Sequence, residues 1–195
     1  MAILGTIQGI NMSSQIINHL TNIQHFSYLE LGVNDNVNFN KINARLKVSV
    51  DTNGNAQFTG TTDEYFNRLS PDDKFDIIFI DACHDYEFVV RDFNNAIKHC
   101  TRWILIHDMI PPSKKFTVSN LCSDSYKILY YMLKECNFEI YPMDNNYGLT
   151  LIKMPATQIE IPDSYTTASY EDFMIFLSDI KLYSDPEMIT ILKGM

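Results

Sequence analysis

Two nearly continuous apolar runs, each closed by an acid, constrain this chain more than any other feature: FDIIFID at 75–81 and RWILIHD at 102–108. A strand that is apolar on both faces has no solvent side. It belongs inside a sheet covered above and below, the arrangement of parallel strands joined by helical crossovers. Shorter runs at 27–32 (SYLELG), 47–51 (KVSVD) and 56–60 (AQFTG) read as three further strands. Two more, at 138–143 (FEIYPM) and 147–154 (YGLTLIKM), flank a polar link too short for a crossover, so they pair as an antiparallel hairpin.

Amphipathic stretches fill the intervals. Ser13 to His25 carries Ile16, Ile17, Leu20 and Ile23 at helical spacing. Thr61 precedes Glu64 by three residues, the spacing of a capping box. Asp85 to Cys100, with Asp85 at the cap, gathers Val89, Val90, Phe93, Ala96 and Ile97 on one face. Ser123 to Cys136 does the same with Tyr126, Leu129, Met132 and Leu133, and one last helix is expected near Ser169 to Tyr183. The predicted fold is α/β: a doubly wound, mostly parallel seven-stranded sheet with an antiparallel C-terminal hairpin. The expected division is a sheet domain with an N-terminal helix over 1–154, and an acidic extension with one helix over 155–195.

Charge narrows the partners. The 195 residues carry a net charge of −9, with 15 Lys and Arg against 24 Asp and Glu. No basic run exceeds Lys114-Lys115, so nucleic acid and anionic membrane surfaces are not expected partners. No stretch approaches the roughly 20 apolar residues of a membrane span, and the N-terminus lacks the pattern of a signal peptide. The four cysteines, Cys83, Cys100, Cys122 and Cys136, form no CxxC pair and read as free thiols. A cytoplasmic protein is expected, in the host cytoplasm if the source is viral. The abundance of Asn and Ile fits an AT-rich bacterial, phage or viral genome.

In a doubly wound sheet, ligands gather at the carboxyl ends of the strands, near the point where strand order reverses. Polar or acidic residues stand at all five such ends: Glu30 and Gly32, Asp51, Thr59 to Asp63, Asp81 to His84, and His107 to Met109. In these segments, YLELGVNDN (28–36), KVSVD (47–51), FDIIFIDACHDY (75–86) and ILIHDM (104–109), the sequence resembles the class I S-adenosylmethionine-dependent methyltransferases. It is most similar to the small bacterial and phage-type branch that acts on small molecules or sugars. The resemblance spans about 26–154 and implies the Rossmann-like methyltransferase fold, which ends in an antiparallel strand.

The resemblance implies roles residue by residue. Glu30, Gly32 and Asn34 would lie by the methionine part of S-adenosylmethionine, and Asp51 would accept from both ribose hydroxyls. Thr62 and Asp63 fall where the family contacts adenine, or merely begin a helix. The family places further glycines where this chain has Asn34, Asp35 and Asn36, residues that tolerate left-handed backbone. Asp81 would serve both cofactor and catalysis. His84 stands where related O-methyltransferases carry a base and has the ordinary pKa for that work. In the metal-dependent branch a Mg²⁺-like ion sits where Asp81 and Asp108 fall. Met109 replaces the usual Asn, leaving His107 as the candidate third ligand, a type better suited to a transition metal.

Bland readings stand beside these: Asp81 and Asp108 as caps, His84 as a surface residue. The expected function is methylation of a hydroxyl on a small molecule or sugar, with His84 as base and Asp81 and Asp108 as a metal or acceptor clamp. The alternative is a catalytically retired fold kept as a binding or scaffold module. A hydrolase on the same fold is a third reading, and the lack of a P-loop counts against nucleoside triphosphates. The residues beyond 155 cap the pocket, join a homo-oligomer or pack on the sheet.

Overall fold

Helices cover both faces of a single twisted sheet in the computed structural model, which describes residues 12–23, 26–145, 147–154, 160–163 and 168–195. The readings of the first eleven residues and of His25 lie outside the described residues. In chain order the elements are α1 (Met12–Ile23), β1 (Ser27–Leu31), α2 (Val37–Lys41), β2 (Leu46–Asp51), β3 (Phe58–Thr59), α3 (Thr62–Phe66) and β4 (Phe75–Ile80). There follow α4 (Tyr86–His99), β5 (Cys100–Ile106), α5 (Tyr126–Glu135), β6 (Glu139–Pro142), β7 (Thr150–Lys153), α6 (Tyr170–Leu177) and α7 (Asp185–Lys193).

The seven strands lie in the order β3-β2-β1-β4-β5-β7-β6. The first five are parallel, while β7 runs antiparallel to both β5 and β6. This is the doubly wound sheet with a terminal hairpin that the sequence predicts. Past an irregularity between Phe75 and Ile77, its apolar runs alternate between two cores. In β4, Ile78 and Ile80 face the core beneath α3, α4 and α5, whereas Ile77 and Phe79 face the one beneath α1. Ile104 and Ile106 of β5 repeat the first pattern, Trp103 and Leu105 the second. Neither strand has a wet side, which is why neither shows polar alternation.

The predicted apolar face of α4 is buried as expected, from Val89 through Ile97. Thr61 and Glu64 form the reciprocal capping box at the head of α3. Asp85 does occupy the N-cap position of α4, but its side chain makes no cap bond. It accepts from the Ser123 hydroxyl instead, and the Tyr86 amide donates to Asp124 Oδ1 at 2.7 Å. Residues 121–125 are bent to supply these contacts, so α5 starts at Tyr126 and not at Ser123.

Two helices go beyond the expectation. α2 is one short turn, below the length at which periodicity is readable. The region after 155 carries two helices rather than one, because α6 ends at Leu177, the chain is non-helical from Ser178 to Tyr183, and Ser184 caps a new start with Pro186 in its first turn. The two helices part to opposite faces: Phe173 and Leu177 of α6 join the core beneath α4 and α5, and Met188 and Leu192 of α7 join the core beneath α1. Among the described residues, no helix is long and apolar enough to cross a membrane.

Candidate active site

A cavity of about 420 Å³ opens where β1, β2, β3 and β4 end, its walls including Gly32, Asn34, Asp51, Thr62, Asp63 and Asp81. Strand order reverses between β1 and β4, and there the chain is pressed together. Gly32 has φ +82, and a Cβ on it would lie 2.2 Å from the Asp81 carbonyl oxygen, so only glycine fits. Asn34 and Asn36 take the left-handed conformation, at φ 46 and 62. Asn34 is itself part of the cavity wall, whereas Asp35 and Asn36 are bonded elsewhere. Asn36 Nδ2 donates to the Asn55 carbonyl at 2.9 Å, and Asp35 Oδ1 accepts from the Val37 amide.

Asp51 holds this loop in place. Its Oδ2 accepts from the amides of Val33 and Asn34, both at 2.8 Å, and its Oδ1 from that of Asn53 at 2.9 Å. Partial burial works to raise its pKa, but the amide bonds prevail and the group titrates below the ordinary carboxylate value. With Oδ2 saturated, only Oδ1 is left for a further donor.

Glu30, expected beside the ligand, is not among the cavity-lining residues. It alternates to the other face of β1, accepting from Tyr28 Oη at 2.6 Å and from Asn38 Nδ2 at 3.0 Å. Burial pushes its pKa up to about 7.

Asp81 also belongs to a second cluster, which the ends of β4 and β5 bring together as the sequence predicts. His84 Nε2 lies 3.4 Å from Asp81 Oδ1, and His84 Nδ1 lies 3.1 Å from Asp108 Oδ2. His107 Nδ1 lies 3.0 Å from Asp81 Oδ1 and 3.4 Å from Asp108 Oδ1. His84 Nδ1 is also 2.6 Å from the Leu121 carbonyl. A carbonyl only accepts, so Nδ1 carries the proton and the neutral ring keeps its lone pair on Nε2.

Burial opposes the charge on both imidazoles. The carboxylates of Asp81 and Asp108 outweigh it, raising the pKa of His84 and holding that of His107 well above the ordinary value. Asp108 sits at φ 58, a left-handed position that asparagine and aspartate tolerate best. Asp81, His107 and Asp108 can each point one ligand atom to within 4.8 Å of the others. Buried His107 Nε2 and Asp108 Oδ1 have no hydrogen-bond partner among the described residues. Two carboxylates, an imidazole and two unused atoms fit a divalent ion. Met109 is fully buried and offers magnesium nothing.

Thr62 and Asp63 open α3, the helix-start reading, and both also line the cavity. Asp63 is tied to Asn95 Nδ2 at 3.3 Å and to Arg91 Nε at 3.4 Å. Sequence reasoning missed the α4 side of the cavity: Phe88, Arg91 and Asp92. Asp92 had a readable signal. It lies three residues after Val89 and four before Ala96, an acid on the apolar stripe of a helix.

A family model described as a methyltransferase domain matches residues 11–109, more than half of the chain. The chain belongs to this family. Its fold is shared by methyltransferases of known structure. An O-methyltransferase from Bacillus cereus, solved in complex with SAH, is 15% identical with a TM-score of 0.53, over 74% of this chain and 81% of that one. The Streptomyces achromogenes O-methyltransferase TomG, involved in tomaymycin synthesis and solved with SAM, is 11% identical with a TM-score of 0.54, over 73% and 79%. An SAH-bound methyltransferase from Podospora anserina is 11% identical with a TM-score of 0.53, over 74% and 77%. No curated protein sequence matches the chain.

Proposed function

We propose that this methyltransferase binds S-adenosylmethionine in the cavity and methylates a hydroxyl of a small-molecule acceptor held against His84. The observation that carries the reading is the shared carboxylate. Asp81 lines the cavity and also stands within 3.4 Å of the His84 imidazole, joining a cofactor-sized space to a group that accepts protons. Asp51 Oδ1 would take one ribose hydroxyl. A second hydroxyl would find Asp51 only if the 33–34 amides yield, which narrows the two-hydroxyl role that the resemblance implies. Thr62 and Asp63 would border adenine, and Gly32 and Asn34 the methionine part.

When bound, S-adenosylmethionine supplies the methyl group. His84 Nε2 would take the proton of the acceptor hydroxyl as that oxygen receives the methyl group, so that the products would be the methyl ether and S-adenosylhomocysteine. Asp108 and the Leu121 carbonyl fix the ring and its tautomer for this transfer. Asp81, His107 and Asp108 would hold a divalent ion, which supplies Lewis-acid polarisation of the acceptor oxygen. Leu121, whose carbonyl contacts His84, is 41% exposed beside this cluster. It favours an acceptor with an apolar face over a bare sugar.

The retired-scaffold alternative predicts loop side chains packed into the cleft. Asn36 instead bonds to the Asn55 carbonyl of the β2–β3 connection and Asp35 to the Val37 amide, which holds these two side chains and supports the binding reading. Calorimetric titration with S-adenosylhomocysteine tests it. One site should appear, and Asp51→Ala should weaken it about tenfold or more, the worth of a hydrogen bond to a charged group. If neither heat nor a rise in melting temperature is seen at saturation, the cofactor reading fails. Parent-like binding by Asp51→Ala removes the ribose anchor.

A further inference from the structure

The α4 side of the cavity carries a group for which the proposed chemistry has no use so far. Asp92 is only 2% exposed, yet it lines the cavity. Its position on the helix is one where Val89, Phe93 and Ala96 are all buried apolar neighbours. An apolar residue there would avoid taking a carboxylate out of water.

The surroundings do little to compensate that carboxylate. Burial pushes its pKa up to about 7, Asp63 adds like charge, and only the Thr62 side chain and Arg91 act in the other direction. A carboxylate has about four acceptor sites, and the Thr62 hydrogen bond uses one of them. One helical turn earlier on the same face, Phe88 presents its ring to the same cavity, with the Arg91 guanidinium 4.5 Å from the ring centroid. A flat apolar surface and a buried acceptor one turn apart suit a planar heterocycle with an N–H donor on its edge.

We propose that Asp92 selects the base of the cofactor, accepting a hydrogen bond from the exocyclic amine of adenine while Phe88 borders the ring. The inference rests on the reading of the cavity as an S-adenosylmethionine site and names the residue that makes it specific for adenine. Thr62 acts through Asp92, orienting its carboxyl. Asp81, His84 and Asp108 take no part in the selection.

The test is calorimetric binding of two ligands to the full chain: S-adenosylhomocysteine and its analogue lacking the 6-amino group. The wild-type protein should prefer the amine by about tenfold or more, the range for a hydrogen bond to a charged acceptor. Asp92→Leu keeps nearly the same shape and removes both acceptor oxygens. It should bring the two ligands to within about threefold by weakening the amine-bearing one, leaving the analogue's affinity near its wild-type value.

Equal binding of the two ligands by the wild type, or an unchanged preference in Asp92→Leu, overturns the assignment to Asp92 while leaving the cofactor site intact. Binding of neither ligand by the wild type overturns the cofactor site and the assignment together. Should Asp92→Leu not fold, the isosteric Asp92→Asn takes its place: a narrowed preference for the amine supports the selection, and a preference equal to the wild type's refutes it.

Discussion

At the scale of single residues, Gly32 and Glu30 carry the sharpest stability consequences. Gly32→Ala forces a Cβ against the 81–82 backbone in a left-handed conformation. The strain and the clash together should cost roughly 3 kcal/mol or more in urea unfolding. Glu30 gives a pH signature. Its pKa is about 7 in the fold against an ordinary value of 4.5, because burial disfavours the charge. Between those values the folded protein keeps a proton that the unfolded chain has lost, so stability falls as pH rises through the window. The full effect of a shift of this size is roughly 3 kcal/mol. Asp92, raised to about 7 from 3.8 for the same reason, acts in the same direction. Glu30→Gln should therefore flatten the decline in unfolding free energy between about pH 4.5 and 7. A decline as steep as the parent's contradicts the burial account.

Among the elements, α4 depends on a cap supplied from the segment before α5. Asp124 accepts from the Tyr86 amide, and Lys127 Nζ steadies it at 2.8 Å. Asp124→Ala should cost about 1 kcal/mol, with faster amide exchange confined to the first turn of α4. Exchange unchanged at Tyr86 would remove this cap. Such a contact is invisible in sequence, where Asp85 has the better local credentials; tertiary bonding from Ser123 and Asp124 overrides them. What is local was legible: the two-faced apolar runs of β4 and β5, the capping box of α3, and the polar residues Asp81, His84, His107 and Asp108 that close those two strands. What depends on pairing across the chain was not. Glu30 turns from the cavity because β1 alternates its faces, and Asp92 enters it because α4 crosses beside α3. The break between α6 and α7 was signalled by Ser184, Pro186 and Glu187 but obscured by the apolar residues on either side of it.

For the whole molecule, the acidic extension changes meaning. Residues 155–195 hold seven acids and two bases, and read as a solvated appendage they would be dispensable. Phe173 is fully buried, in ring contact with Tyr126 and Tyr130 of α5. Tyr170 Oη donates to the Pro111 carbonyl at 3.0 Å. The extension therefore belongs to both cores, and Phe173→Ala should destabilise the entire cooperative unit by about 3–5 kcal/mol in urea unfolding. A loss within about 0.5 kcal/mol would mean that α6 unfolds on its own. The acids that the proposed chemistry uses are instead Asp51, Asp63, Asp81 and Asp108 at the strand ends. The central claim is that the cavity holds S-adenosylmethionine between Asp51 and Asp81. A crystal structure of the full chain with S-adenosylhomocysteine tests it most directly. The ligand should lie in the cavity, with a ribose hydroxyl on Asp51 Oδ1 and the sulfur directed toward Asp81 and His84. A cavity closed by Asn34 with no ligand in it, under saturating ligand, would contradict the account.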